Sequence, residues 1–220
     1  MGHNVNEQVR QKLVKSIPAN YNSRIHALIP SSVALGIIAL AVSQITFVWT
    51  WWILPLIITT LFLLFGFEWW VHKNIMHAPR KFLTSIYLKH FAHHLIYTDE
   101  DMAMRSKQEL YYILMPPYAI LLVVLLFISP ILVGLWLIFS SQIAWIVLMV
   151  MMVFAISYEW LHYSYHQSES SWIGKRSIIK KLKVNHQKHH NPKLMNRYGF
   201  NVTVPIFDWI MRTRPRGEKV

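Results

Sequence analysis

The chain has no cysteine in 220 residues. That excludes a disulfide scaffold, an iron–sulfur cluster, a thiolate zinc site and a cysteine nucleophile. Charge is scarce too, at 15% of residues, where an ordinary soluble domain carries about a quarter. Acidic charge is scarcer still: ten Asp and Glu stand against 22 Lys and Arg, a net +12. Low hydrophobicity is absent as well, since 54% of residues are hydrophobic, and that excludes a disordered chain. The first 24 residues lack an apolar core and a small-residue cleavage site, so they do not read as a signal peptide. Met1-Gly2 opens like a myristoylation site, but Asn6 stands where Ser or Thr is needed.

The long stretches without charge decide the class. From Ile25 to Val71 only Glu68 is charged, and from Tyr111 to Trp160 only Glu159, each near the end of its run. A membrane-crossing helix takes about 20 apolar residues, so each run fits two helices and a tight turn. The expected fold is all-α and polytopic, with spans near 25–47, 51–71, 111–131 and 138–160. The turns fall near Phe47–Trp51 and between Ser129-Pro130 and Gln142. All Lys and Arg lie in 1–24, 72–110 or 161–220, and neither turn holds any. Two hairpins return the chain to its starting side, so these basic segments share one face, which the positive-inside rule makes cytoplasmic. The reading is an N-terminal cytoplasmic segment, 1–24, and a single membrane domain, 25–220, whose cap is formed by 72–110 and 161–220. The net charge is then mostly topology, and nucleic acid is not an expected partner. Val5, Val9, Leu13 and Ile17 recur at i+4, which fits either a short helix on the lipid surface or a frayed end.

Ten of the twelve histidines follow the two hairpins. After the first come His72, His77, His90, His93 and His94. After the second come His162, His166, His186, His189 and His190. The order repeats: a Glu-Trp step (Glu68-Trp69, Glu159-Trp160), a spaced His pair, then H-x-x-H-H. One H-x-x-H-H arises about 0.03 times by chance in a chain of this length and His content, so two of them are a signal. His90, His93 and His94 fall at i, i+3 and i+4, as do His186, His189 and His190, so each set is able to share a helix face. His162 and His166 are also i, i+4. His72 and His77 lie about 140° apart on an ideal helix. They share a face only across a bulge or helix end, or else they reach two different metals. Imidazole sets of this kind suit Fe, Zn, Cu or Ni. Each half of the repeat is expected to supply five ligands to a site at the interface between halves. The carboxylates and amides placed to orient imidazoles are Glu68, Glu159, Asn185, Asn191 and Asp208. Phe67, Trp69, Trp70, Trp160, Tyr163 and Tyr165 flank the boxes as an aromatic belt or as walls of a lipid entry. His3 and His26 read as structural.

The boxes H-x4-H, H-x2-H-H, H-x3-H and H-x2-H-H after paired membrane helices resemble the fatty acid hydroxylase/sterol desaturase superfamily. The resemblance runs from about Leu28 to Thr213, and the box spacing looks most like the fatty acid 2-hydroxylase branch. The tail YGFNVTVPIFDWIMRT is similar to the family's closing stretch, with Arg212 where a glycine often sits. The resemblance implies that His72, His77, His90, His93, His94, His162, His166, His186, His189 and His190 hold two iron ions, with zinc a substitute in purified protein. It implies an O2-dependent monooxygenase that hydroxylates a lipid acyl chain, of the fatty acid or sphingolipid kind. A separate donor, cytochrome b5-like or ferredoxin-like, would supply electrons. The membrane would be the inner membrane in a bacterium or the endoplasmic reticulum in a eukaryote. Two departures stand out: there is no room for a fused cytochrome b5 domain, and the stretch between HFAHH and Pro116-Pro117 is longer. The alternatives are a sterol or carotenoid desaturase or hydroxylase of the same superfamily, a bis-histidine haem protein, and a non-catalytic metal- or lipid-binding membrane protein.

Overall fold

The computed structural model describes residues 2–46 and 50–215, with the side chains of 2–6 left out. Among the described residues there are helices and no strand. The first hairpin turn, read near Phe47–Trp51, lies partly outside them. Among the described residues, four helices are long and apolar enough to cross a membrane: Ser23–Gln44, Ile53–Met76, Ala119–Ile138 and Ser141–Tyr165. Many of their apolar side chains, such as Leu54, Ile58, Phe62, Leu125 and Phe127, are exposed. Faces of that kind are stable against lipid and not against water. The chain is an all-α polytopic membrane protein.

The chain divides into two compact units. The hairpin unit comprises Arg24–Leu64 and Met115–Glu159. Helix α2 (Ser23–Gln44) contributes Ala34, which is fully buried beside Ile128, Leu148 and Met152. A small residue at that contact lets helix backbones approach closely, the usual device where lipid removes the hydrophobic drive between helices. The third span is α6 (Ala119–Val123), a π-turn at Val124–Ile128 and α7 (Ser129–Ile138). Pro130 sits in the first turn of α7. A proline ring clashes with the carbonyl four residues back and offers no N–H. The wider π-turn just before it relieves both. Thus the span continues through Pro130, and the turn falls at Phe139-Ser140, before α8 (Ser141–Tyr165). The third span begins at Ala119, not at 111, because Leu110–Ile113 forms a separate short helix, α5. Gln142 ties the two hairpin ends: its amide accepts from Thr46 N at 3.0 Å and donates to Thr46 O at 2.8 Å. His26 is buried against the Met115 carbonyl at 2.7 Å, a structural role.

The second unit comprises residues 1–23, 65–114 and 160–220. It contains α1 (Gly2–Lys15), the end of α3 (Ile53–Val71), α4 (Thr84–Ile96), α5, the end of α8, α9 (Ser177–His189) and α10 (Ile206–Ile210). The N-terminal segment packs as a helix against α4. It folds as α1 with Arg10 buried.

Candidate metal centre

All ten box histidines fall in the second unit, and nine of them form two groups. His72, His77, His90, His94 and His189 form the first; His93, His166, His186 and His190 form the second. Within a group the donor atoms all lie within 4.8 Å of one another. His162 joins the second through Nε2, 3.2 Å from His93 Nε2. The halves of the repeat do not keep to themselves. His93 crosses to the second group, and His189 crosses to the first.

Local structure explains the sorting. His72 opens a π-turn, His72–Met76, at the end of α3, and His77 N donates to His72 O at 3.1 Å. The i+5 closure of a π-turn brings positions five apart onto one side. The two rings lie 5.1 Å apart in the same group, so the bulge brings both to one side. On α4, His90 and His94 are about 40° apart around the helix, while His93 lies about 100° from His94. The first two therefore aim at one group and the third at the other. Helix α9 does the same with His186 and His190 against His189. Three histidines at i, i+3 and i+4 divide between the two groups rather than sharing one face.

The donor atoms converge. In the first group His72–His90, His77–His189 and His77–His90 have Nε2···Nε2 distances of 3.0 Å, and His90–His94 is 3.1 Å. In the second, His186–His190 is 3.0 Å, His93–His190 is 3.2 Å and His166–His186 is 3.3 Å. Protons do not account for these contacts. His189 Nδ1 faces the Tyr198 carbonyl at 2.7 Å, and a carbonyl only accepts, so Nδ1 carries the proton. His77 Nδ1 donates likewise to Asn196 Oδ1 at 3.2 Å. Two bare lone pairs then meet at 3.0 Å, an arrangement a cation between them stabilises. Donors about 2.1 Å from one metal and at right angles lie about 3.0 Å apart, so the spacing fits a shared ion.

The orienting acceptors are mostly backbone carbonyls. His72 donates to Phe200 O at 2.7 Å, His190 to Tyr97 O at 2.7 Å and His166 to Met102 O at 2.9 Å. His162 bonds the backbone of Ile113. Sequence has no mark for a carbonyl, so these partners were missed. The expected side chains act one step further out. Glu68 accepts from Val202 N, Thr203 N, Thr203 Oγ1 and Asn201 Nδ2. Asp208 accepts from Phe200 N at 2.9 Å, Asn201 N at 3.0 Å, Thr213 Oγ1 at 2.8 Å and Asn185 Nδ2 at 3.3 Å. Both fasten the segment that carries the Tyr198 and Phe200 carbonyls. Asn185 also donates to Asn201 O, and Asn191 donates to Asp99 Oδ2 at 2.6 Å. None of these four bonds an imidazole. Glu159 lies in the hairpin unit and accepts from Met115 N at 3.2 Å. Among the flanking aromatics, Trp69 and Tyr165 are buried, Trp69 donating to Thr213 Oγ1 at 2.9 Å. They are core, whereas Phe67, Trp70 and Trp160 are exposed.

Burial sets the protonation. Desolvation pushes His77 down to about 4 and His190 to about 3. It also pushes His90, His93, His94, His166, His186 and His189 well below the usual histidine value, with the neighbouring imidazoles acting in the same direction. These rings are neutral at pH 7, the state a metal requires of them. Their chemistry is that of nitrogen ligands held in place before any ion arrives.

A helical membrane chain with two convergent, neutral histidine clusters is a membrane protein of the metal-binding, histidine-box kind. The model of the fatty acid hydroxylase family matches residues 56–213. The chain belongs to the fatty acid hydroxylase family, and so to a family of oxidoreductases. Among solved structures it is similar to full-length scs7p, in which only the hydroxylase domain is visible. The TM-score is 0.57 at 19% identity, and the match covers 86% of this chain. It covers 66% of that chain, so this protein spans a little under two thirds of its length. That likeness is one of fold. No curated protein sequence matches.

Proposed function

We propose that the protein is an O2-dependent di-iron oxygenase that hydroxylates a C–H bond of a lipid acyl chain, with electrons from a separate protein. The observation that carries this is the convergence of neutral, mostly buried imidazole donors into two adjacent groups, in a chain of the fatty acid hydroxylase family. Five imidazoles per ion leave an octahedral ion about one open position. Iron is favoured over zinc because activating O2 requires redox chemistry. A bound iron pair supplies the electrons' path to O2. One oxygen atom enters the substrate as hydroxyl and the other leaves as water, with two electrons and two protons from the donor side.

The chain's residues do the holding. The Tyr97, Met102, Tyr198 and Phe200 carbonyls fix the imidazoles with Nε2 inward. Burial keeps those rings neutral and excludes water that would compete for the metal. The distribution of Lys and Arg supports a cytoplasmic histidine-bearing unit, facing an inner-membrane or endoplasmic-reticulum donor. The same positive charge supports steering of an acidic carrier.

The test is incubation of purified, donor-supplied protein with lipids under labelled O2. One labelled oxygen in a hydroxylated acyl chain is the expected product. A labelled sterol or carotenoid product moves the assignment to the other branch, and no labelled lipid under reducing conditions overturns the proposal.

A further inference from the structure

The acceptors for the second histidine group lie on one segment, residues 97–109. Tyr97 O holds His190, and Met102 O holds His166. Met104 N closes back onto His166 O at 2.7 Å. The Tyr97 ring packs on the His166 ring with centroids 4.2 Å apart. Nothing regular stiffens residues 97–106, which form no helix. Gln187 on α9 and Asn191 just beyond it hold Asp99, and the rest of the fastening comes from the other end of the chain. The Arg10 side chain on α1 is only 4% exposed, as is its partner Glu109. Arg10 Nη2 donates to Glu109 Oε2 at 2.5 Å and to Ala103 O at 2.8 Å. Its Nη1 reaches Asp101 Oδ2 at 3.2 Å, and its guanidinium lies 5.4 Å over the Tyr97 ring. Glu109 Oε2 also accepts the Tyr97 hydroxyl at 3.0 Å and Arg105 N at 3.3 Å. One guanidinium thus ties positions 97, 101, 103 and 109. The planar, multi-donor fork of arginine suits such a junction, and a point-charge lysine does not.

We propose that Arg10 is a positioning residue for the second metal centre, acting through Glu109 and Tyr97 on His166 and His190. The first centre has a different fastening, the 198–213 segment held by Glu68 and Asp208, with which Arg10 makes no contact. The N-terminal helix is therefore a brace for one centre of the pair. This inference rests on the reading of the two histidine groups as metal centres.

Its test is metal affinity, measured by competition with a chelator on the detergent-purified full chain loaded with Fe(II) or Co(II). Orienting contacts of ligating histidines typically change metal affinity about 10–100-fold, so about tenfold is expected one contact further out. Arg10→Met should weaken the remaining ion about tenfold in a His77→Ala background, where the first centre is crippled. In a His166→Ala background it should change nothing, and Arg10→Lys should fall between. Tyr97→Phe, which keeps ring and carbonyl but removes the hydroxyl, should show the same selectivity more mildly, and it carries the test if Arg10→Met does not fold. Equal weakening in both backgrounds, or none in either, overturns the inference and makes Arg10 an ordinary structural residue. A wild-type chain that takes up no metal overturns the metal-centre reading as well; two ions without selectivity overturn this inference alone.

Discussion

Gly199 has φ +78, and a Cβ there would stand 2.9 Å from His189 Cβ and 3.2 Å from Asn185 O. The close approach lets Tyr198 O reach the His189 ring. Gly199→Ala should therefore displace that carbonyl and lower metal affinity at the first group about tenfold or more, read by chelator competition. Arg212 has φ +56, in the left-handed region, where the resembling family often has glycine. An L-residue there costs roughly 1 kcal/mol, so Arg212→Gly should raise the unfolding free energy by up to about that amount. A detergent melt checks it, and an unchanged or lower midpoint counts against the strain. The nine histidines that the structure gathers into two groups are all among the ten that the sequence singles out, because their spacing repeats. The acceptors of the ten were not legible there, because five of them are main-chain groups set by tertiary folding.

The sorting of ligands is a property of helices and turns. His72 and His77 meet because of one extra residue in the turn between them. Deleting Asn74 should restore an ordinary α-turn and swing His77 away. The chain should then keep the second ion and lose the first, read by metal content; retention of both would show that the π-turn is dispensable. The i, i+3, i+4 spacing on α4 and α9 looked in sequence like three ligands on one face. In three dimensions the 100° step per residue splits each triple, and the crossing of His93 and His189 follows. The span bounds were legible to within a few residues except where proline intervened: Pro130 continues a helix through a π-turn, and Pro116-Pro117 follows a short helix that the hydropathy run had absorbed into the third span. The brace from α1 was invisible because Arg10 and Glu109 are 99 positions apart and nothing local pairs them.

At the scale of the whole molecule, the histidine-bearing unit stores its stability in neutral rings. A histidine with its folded pKa depressed binds fewer protons folded than unfolded, so its contribution is present above about 6.5 and is lost as pH falls toward the folded value. Each such ring withdraws about 1.4 kcal/mol per pH unit over that window. His77 and His190, with folded values of about 4 and about 3, keep withdrawing down to those values. Metal-free protein should be stable at pH 7 to 8 and unfold steeply between about pH 6 and 4; a flat profile there would mean that the rings are not buried neutral. The excess of basic over acidic residues gives a second expectation at this scale. With the electron carrier limiting, turnover should rise as salt falls, because screening shortens the reach of the steering field. A salt-independent rate would remove charge from donor docking.

Most direct is the metal content of freshly purified protein beside the His93→Ala/His189→Ala double variant, which removes the two histidines that cross between groups. Two irons per chain in the wild type, one for each group, and a marked loss in the variant are expected. No bound metal in the wild type, or the same metal in both proteins, would contradict the assignment of the ten histidines to a di-metal oxygenase site.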